Sequence, residues 1–186
     1  MYKITLYSIF LLATVCCTNS QSELPKKYYD LQGFINTQIA LLNKAKPNVQ
    51  KRMQVGDAPE QVKTNNIDWA KELELFTQAD LNKVALQLSY DVARPDSLTY
   101  QYKLKTTENL TVKSLVVHLD SASRQPARVE ALLVVENRLY KSEKKILLLC
   151  GQSANQWMLQ KYQILGYQKL ILGGQKKFEI TGLVKH

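Results

Sequence analysis

The sequence predicts an α+β fold in which N-terminal helices pack on a C-terminal antiparallel β-meander. Three observations lead there. In the N-terminal third, Leu31, Ile35, Ile39 and Leu42 recur at the three-to-four-residue spacing of an amphipathic helix. Beyond residue 86 the texture changes to β-branched, aromatic and leucine-rich runs separated by short polar breaks. Those breaks are too short for a parallel return, which needs a dozen or more residues, so neighbouring strands must run antiparallel.

The first residues speak to compartment. Lys3 precedes a largely apolar run of 12 residues, 4–15. A helix needs roughly 20 residues to span a hydrocarbon core, so this run suits the apolar region of a secretory signal peptide. The residues Thr14-Val15-Cys16-Cys17 resemble a bacterial lipobox, in which a small residue precedes a cysteine that is lipidated and becomes the N-terminus. Cys17 is the expected acceptor, because Cys16 is then the small preceding residue; Cys16 is the alternative, with the bulkier Val15 before it. Thr14 stands where leucine is usual. The polar run 18–23 reads as a tether with too little apolar surface to fold. The expected organisation is a signal peptide over 1–16, a flexible tether over 17–24 and a single domain over 25–186. The expected place is the bacterial cell envelope, lipid-anchored to a membrane and facing the periplasm or exterior.

Removing 1–16 leaves 170 residues, a normal size for one domain. That segment carries one base and no acid, so the net charge falls from +9 to +8. Lysines pair at 26–27, 144–145 and 176–177, spread along the chain rather than gathered in one block. A basic surface is attracted to an anionic bilayer, but scattered lysines are the mark of a solvated face. No ribonucleoprotein, helix-turn-helix or zinc-finger pattern is present, so nucleic acid is not an expected partner. Of three cysteines, two sit at the processing site; Cys150 closes the apolar run 146–149 and reads as a small buried hydrophobe, with no disulfide implied.

Taken in order, 28–45 reads as a helix, with Phe34 and Leu41 widening its apolar stripe, Pro25 ahead of it and Lys44, Lys46 and Pro47 at its end. Residues 49–66 read as an exposed hairpin turning at Gly56-Asp57-Ala58-Pro59. A second helix begins near Asp68, which can cap its first turn, and its apolar side holds Trp69, Leu73, Phe76 and Leu81. Expected strands cover 98–104, 110–119, 127–135, 139–149, 157–165, 167–172 and 176–184. The breaks carry turn residues: Arg94-Pro95-Asp96, 120–126, 151–155, and Gly173-Gly174 as a two-residue hairpin link. Val129, Ala131, Leu133 and Val135 share one strand face, as do Phe178, Ile180 and Val184, so one face of the sheet is buried and the other is wet in part.

Chemistry-bearing patterns are sparse. The two histidines, His118 and His186, have no partners at metal-ligand spacing, and neither a metal nor a cofactor is expected. There is no nucleophile elbow, P-loop or dinucleotide fingerprint. Glu72 and Glu74 point to different helix faces. Glu130 and Glu136 share a strand face but lie six residues, about 20 Å, apart, beyond the roughly 5–10 Å that paired-carboxylate hydrolysis needs. No catalytic residue is assigned. Ten tyrosines against four phenylalanines suit both strands and interfaces.

The segments "KYYDLQGFINTQIALL", "WAKELELFTQADLNK" and "VVENRLYKSEKK" resemble, in layout and texture, a family of small bacterial lipoproteins without assigned activity. The resemblance implies export and a single domain, and brings no catalytic residues. Two functions compete. One is a non-catalytic envelope module that binds an envelope protein or cell-wall partner. The other is a carrier or sensor of a small apolar ligand held between sheet and first helix. The tether, short loops and scattered charge favour the first; an enzyme ranks third.

Overall fold

The computed structural model describes residues 26–153 and 155–185. Cys16, Cys17, the signal segment, the whole tether and His186 lie outside the described residues. Among the described residues, nine strands form one sheet: β1 Asn48–Val55, β2 Ala58–Thr64, β3 Tyr90–Ala93, β4 Thr99–Leu104, β5 Val112–Leu119, β6 Pro126–Glu136, β7 Tyr140–Ser153, β8 Gln156–Leu170 and β9 Gln175–Lys185. Their order is β2-β1-β9-β8-β7-β6-β5-β4-β3, with every pair antiparallel. Helices are few: α1 Leu31–Ala45, the short α2 Trp69–Glu72 and α3 Glu74–Gln78, and one 3-10 turn at Val84–Leu86.

The antiparallel meander is as expected, but the sheet dominates more than the helix-then-sheet reading allowed. The hairpin β1–β2 falls between α1 and α2 in the chain, yet it joins the same sheet by pairing with β9 over eight residues. A lone two-stranded hairpin is marginal in water, and β9 gives this one a third strand. Its turn is the two-residue Gly56-Asp57, with Gly56 at φ +62°, so Ala58 and Pro59 already belong to β2. As an edge strand, β2 tolerates the missing N–H of Pro59 and carries exposed Lys63; the other edge, β3, is only four residues long. Both are ordinary ways of blunting a sheet edge. The sequence reading had no place for β3, since only Tyr90 in it is buried and no alternation is left to read.

Three further boundaries differ for physical reasons. The expected strands 157–165 and 167–172 are one continuous strand, β8. Gly166 does not turn the chain there: a Cβ at this position would meet the Glu143 carbonyl oxygen at 2.5 Å and the Phe178 ring at 2.6 Å, so glycine permits a close approach inside the sheet. The link after β8 is not Gly173-Gly174 alone but the four residues 171–174, which lifts Ile171 and Leu172 out of the ladder. At the other end of β7, Gly151 stays in the strand, which runs to Ser153, and Asn155 just ahead of β8 takes φ +65°.

One sheet face is the core. In register across it lie Tyr102, Leu115, Ala131, Ile146, Ile164, Ile180 and Met53, from β4 through to β1. The first five are buried and the last two half-buried. A bulge at Gln160, opposite Leu149 and Cys150, shifts the β7–β8 register so that Leu159 joins Tyr162 and Ile164 on the core face. Against this face α1 presents buried Leu31, Ile35, Gln38 and Leu42. Asp30 caps α1 by accepting from the Gly33 N–H at 3.0 Å, and left-handed Lys46 closes it with an N–H bond to the Leu42 carbonyl at 2.9 Å. Asp68 caps α2 as expected, accepting from the Lys71 N–H at 3.2 Å. The expected single helix is interrupted at Leu73, and Trp69, Leu73, Phe76 and Leu81 are all buried.

Opposite Tyr162 in the β8–β9 ladder stands Gly182, and a Cβ there would overlap the Tyr162 ring. Gly182→Ala is therefore expected to destabilise by about 2–3 kcal/mol through overpacking, read as a lowered urea midpoint with an unchanged slope.

Candidate functional site

Three places on the molecule collect polar chemistry. The first is the helix–sheet seam. The Gln38 side-chain amide donates from Nε2 to the Trp157 carbonyl at 3.0 Å and accepts at Oε1 from the Leu159 N–H at 2.8 Å. Nearby, Lys51 Nζ on β1 lies 2.7 Å from Glu72 Oε1, and the Tyr162 hydroxyl donates to the same oxygen at 2.7 Å. Burial, then the hydrogen bond to and the charge of Glu72, push the Tyr162 phenol up, so it stays a donor. These groups are saturated by one another and hold the helices in place.

The second is a tyrosine cluster ahead of α1. Tyr28 packs edge-on against Tyr90 and Tyr102, with ring centroids 5.9 and 5.3 Å apart. Its hydroxyl donates to the Leu86 and Gln87 carbonyls, Tyr90 donates to the Val112 carbonyl, and the Tyr102 hydroxyl accepts from the Tyr29 N–H. Burial pushes the Tyr90 phenol up to about 12. Asn82 clasps the same segment, accepting from the Tyr28 N–H and donating to the Tyr29 carbonyl, while buried Asp80 accepts from the Gln32 N–H in the first turn of α1. The tyrosines here are structural.

The third lies on the outer face, and it is the candidate site. A concavity of about 880 Å3 sits over β8, β9 and β1, lined by Gln54, Leu165, Gln175, Lys177 and Glu179. A second hollow of about 340 Å3 follows it along the same strands, lined by Arg52, Gln61, Lys161, Gln163 and Thr181. Glu179 lines both, so the two hollows adjoin at that residue and together make up the outer groove. Alternation explains the composition: core partners Phe178, Ile180 and Gly182 force Lys177, Glu179, Thr181 and Leu183 outward. Glu179 accepts from Gln163 Nε2 at 3.0 Å and from the Thr181 hydroxyl at 3.4 Å. The groove offers amides, two lysines, an arginine and two carboxylates, Asp57 in the β1–β2 turn and Glu179 on β9. It can bind by hydrogen bonding and charge.

The residues weighed for catalysis are dispersed. Glu72 is committed to Lys51, Glu74 accepts from Gln78, Glu130 forms a paired contact with Arg128 at 2.8 Å, and Glu136 pairs with Lys141 at 2.9 Å. His118 Nδ1 lies 3.1 Å from the Thr99 hydroxyl, which also meets Asp96. Cys150 is free and buried, and burial pushes its thiol up. Among the described residues, no group of three or more His, Cys, Asp or Glu is placed to hold a metal, and no helix is long and apolar enough to cross a membrane. The groove escaped sequence reasoning because its residues come from separate strands, each of which looks like an ordinary solvated face.

Several carboxylates tie down turns. The Lys71 N–H holds Asp68 below the usual range, the Leu98 N–H does so for Asp96, the Ser123 N–H for Asp120, and the Arg128 guanidinium for Glu130. Lowered values in the folded state mean that their contribution is complete at neutral pH and is lost as pH falls through the folded values, from about pH 4 downward. The urea midpoint is expected to be lower at pH 3 than at pH 7; an unchanged midpoint would contradict these assignments. No family model, no curated protein and no solved structure matches the chain.

Proposed function

We propose that the chain is a non-catalytic binding module of the bacterial cell envelope, built as helices seated on one face of a sheet whose other face meets the partner. It is tethered by lipid at Cys17, with Cys16 as the alternative, and presents the outer groove of β8, β9 and β1 to an envelope protein or cell-wall polymer. The observation that carries this reading is the pair of adjoining hollows around Glu179, most of whose amide and charged groups stand on paired strands and need little ordering to bind. The seam between α1 and the sheet is occupied by fully buried Leu31, Ile35, Leu42, Leu148, Leu159 and Tyr162, which favours a binding platform over a carrier that holds its ligand there.

Two measurements test the proposal. A photo-cross-linking residue placed at Gln54 or Gln163 in the native host is expected to capture an envelope component, and Glu179→Lys is expected to reduce that capture at least tenfold. Equal capture from a control site at Ser121, in the β5–β6 turn, would reject the groove. Mass spectrometry of the mature N-terminus is expected to find a diacylated or triacylated Cys17; an unmodified residue further along the chain would reject the tether.

A further inference from the structure

Among the described residues, eleven large hydrophobic side chains are exposed, and they are not evenly spread. Leu139 in the β6–β7 turn is 74% exposed, Leu170 at the end of β8 is 50% exposed, and Ile171 and Leu172 in the β8–β9 turn are 66% and 100% exposed. The two turns touch, because the Ile171 N–H donates to the Leu139 carbonyl at 3.1 Å. The four side chains therefore form one apolar apex at a single end of the sheet, with exposed Val55, the last residue of β1, at the same end, beside Phe178. The opposite end carries the polar 120–125 turn and Asn155. Nothing in the fold requires an isoleucine and three leucines at solvent-facing tips, where turn chemistry prefers small polar residues.

Charge surrounds this apex in a definite order. Segments 136–143 and 167–177 carry Arg138, Lys141, Lys169, Lys176 and Lys177 against Glu136 and Glu143. Glu136 is engaged by Lys141. Lys169 stands just behind Leu170 on one arm, and Lys176 and Lys177 just behind the glycines on the other; all three are exposed. A crevice of about 310 Å3 opens between the two hairpins behind the apex, with Lys141 and Lys169 on its walls. Apolar residues at the extreme tip with cations set one step back match the layering of a bilayer interface, acyl chains inside and anionic phosphates outside.

We infer that the β6–β7 and β8–β9 hairpins form a docking tip that inserts Leu172, Ile171 and Leu139 into an anionic phospholipid surface, with the flanking lysines on lipid phosphates. This contact shares Lys177 with the rim of the groove but lies at the end of the sheet rather than on its outer face, and it does not depend on the lipid tether. It would set the orientation of the sheet over the membrane, with the opposite turns pointing away.

Full-length Leu172→Trp reconstituted into phosphatidylglycerol vesicles tests it directly. The substitution is at a fully exposed position, so the fold is untouched, while Trp69 and Trp157 of the parent supply the background. With brominated phosphatidylglycerol, the added tryptophan is expected to lose at least half of its emission relative to unbrominated vesicles, and much less in phosphatidylcholine. Lys169→Gln and Lys176→Gln are each expected to weaken vesicle docking about fivefold. Equal emission with and without bromine, in chains that float with the vesicles, would overturn the inference. So would quenching of a tryptophan placed at Ser121, or a tip that cross-links to a second copy or another protein instead of taking up lipid.

Discussion

Gln38→Leu is expected to lower the stability of the domain by about 2–4 kcal/mol, although it replaces a polar residue with an apolar one in a buried position. The reason is what the amide replaces. β9 pairs with β8 only from Lys161 to Lys169, so that ladder stops short of Trp157 and Leu159. The Gln38 amide continues it, giving an N–H to the Trp157 carbonyl and an oxygen to the Leu159 N–H, as a neighbouring strand would. Leucine fills the volume but removes both of these hydrogen bonds in a buried place. Gln38→Glu is expected to lose as much, because its carboxylate would face the Trp157 carbonyl oxygen. Urea unfolding at neutral pH measures both; a leucine variant within 0.5 kcal/mol of the parent, a typical limit for neutral surface changes, would show that the amide is not a strand surrogate.

The other large effect lies at Glu72. Its two oxygens receive Lys51 at 2.7 and 2.8 Å, and Tyr162 at 2.7 Å, with the Lys51 and Glu72 side chains 19% and 16% exposed. Glu72→Leu removes the only carboxylate these groups share and strands an ammonium and a hydroxyl at the seam. A fully buried pair broken on one side costs about 3–5 kcal/mol; residual exposure lets Lys51 reach water, so about 2–3 kcal/mol is expected here. The double variant Lys51→Met with Glu72→Leu is expected to recover at least half of that loss, and a double-mutant cycle isolates the coupling. Additive single effects would mean that the pair contributes nothing specific.

How much of this was legible differs by element. α1 was plain from its stripe, and Gln38 occupies a stripe position between Ile35 and Leu42, so a polar residue at a core position was a usable sign of a buried amide with partners. The Lys51–Glu72–Tyr162 contact was not legible, since the three residues come from a hairpin, a short helix and β8, and only the pairing of β1 with β9 brings them together. The groove failed for the same reason. The apolar apex left a trace, Leu170-Ile171-Leu172 followed by Gly173-Gly174 between lysines, but a run of apolar residues reads as the end of a strand until the turn is seen to take four residues rather than two.

The pairing of β1 with β9 also sets a schedule. From β3 onward each strand docks on the one made just before it, so the meander can grow as the chain emerges. β1 has no such neighbour. Its partner residues 178–185 follow residues 48–55 by more than a hundred positions, a delay on the order of ten seconds at ordinary rates of synthesis. Through that interval the β1–β2 hairpin carries a bare edge, and Lys51 waits apart from the Tyr162 side of its contact. Closure of the seam is thus a signal that the last strand has arrived, and a nascent chain arrested before residue 175 is expected to leave the amides of β1 open to rapid hydrogen exchange while those of β5 to β7 are already protected.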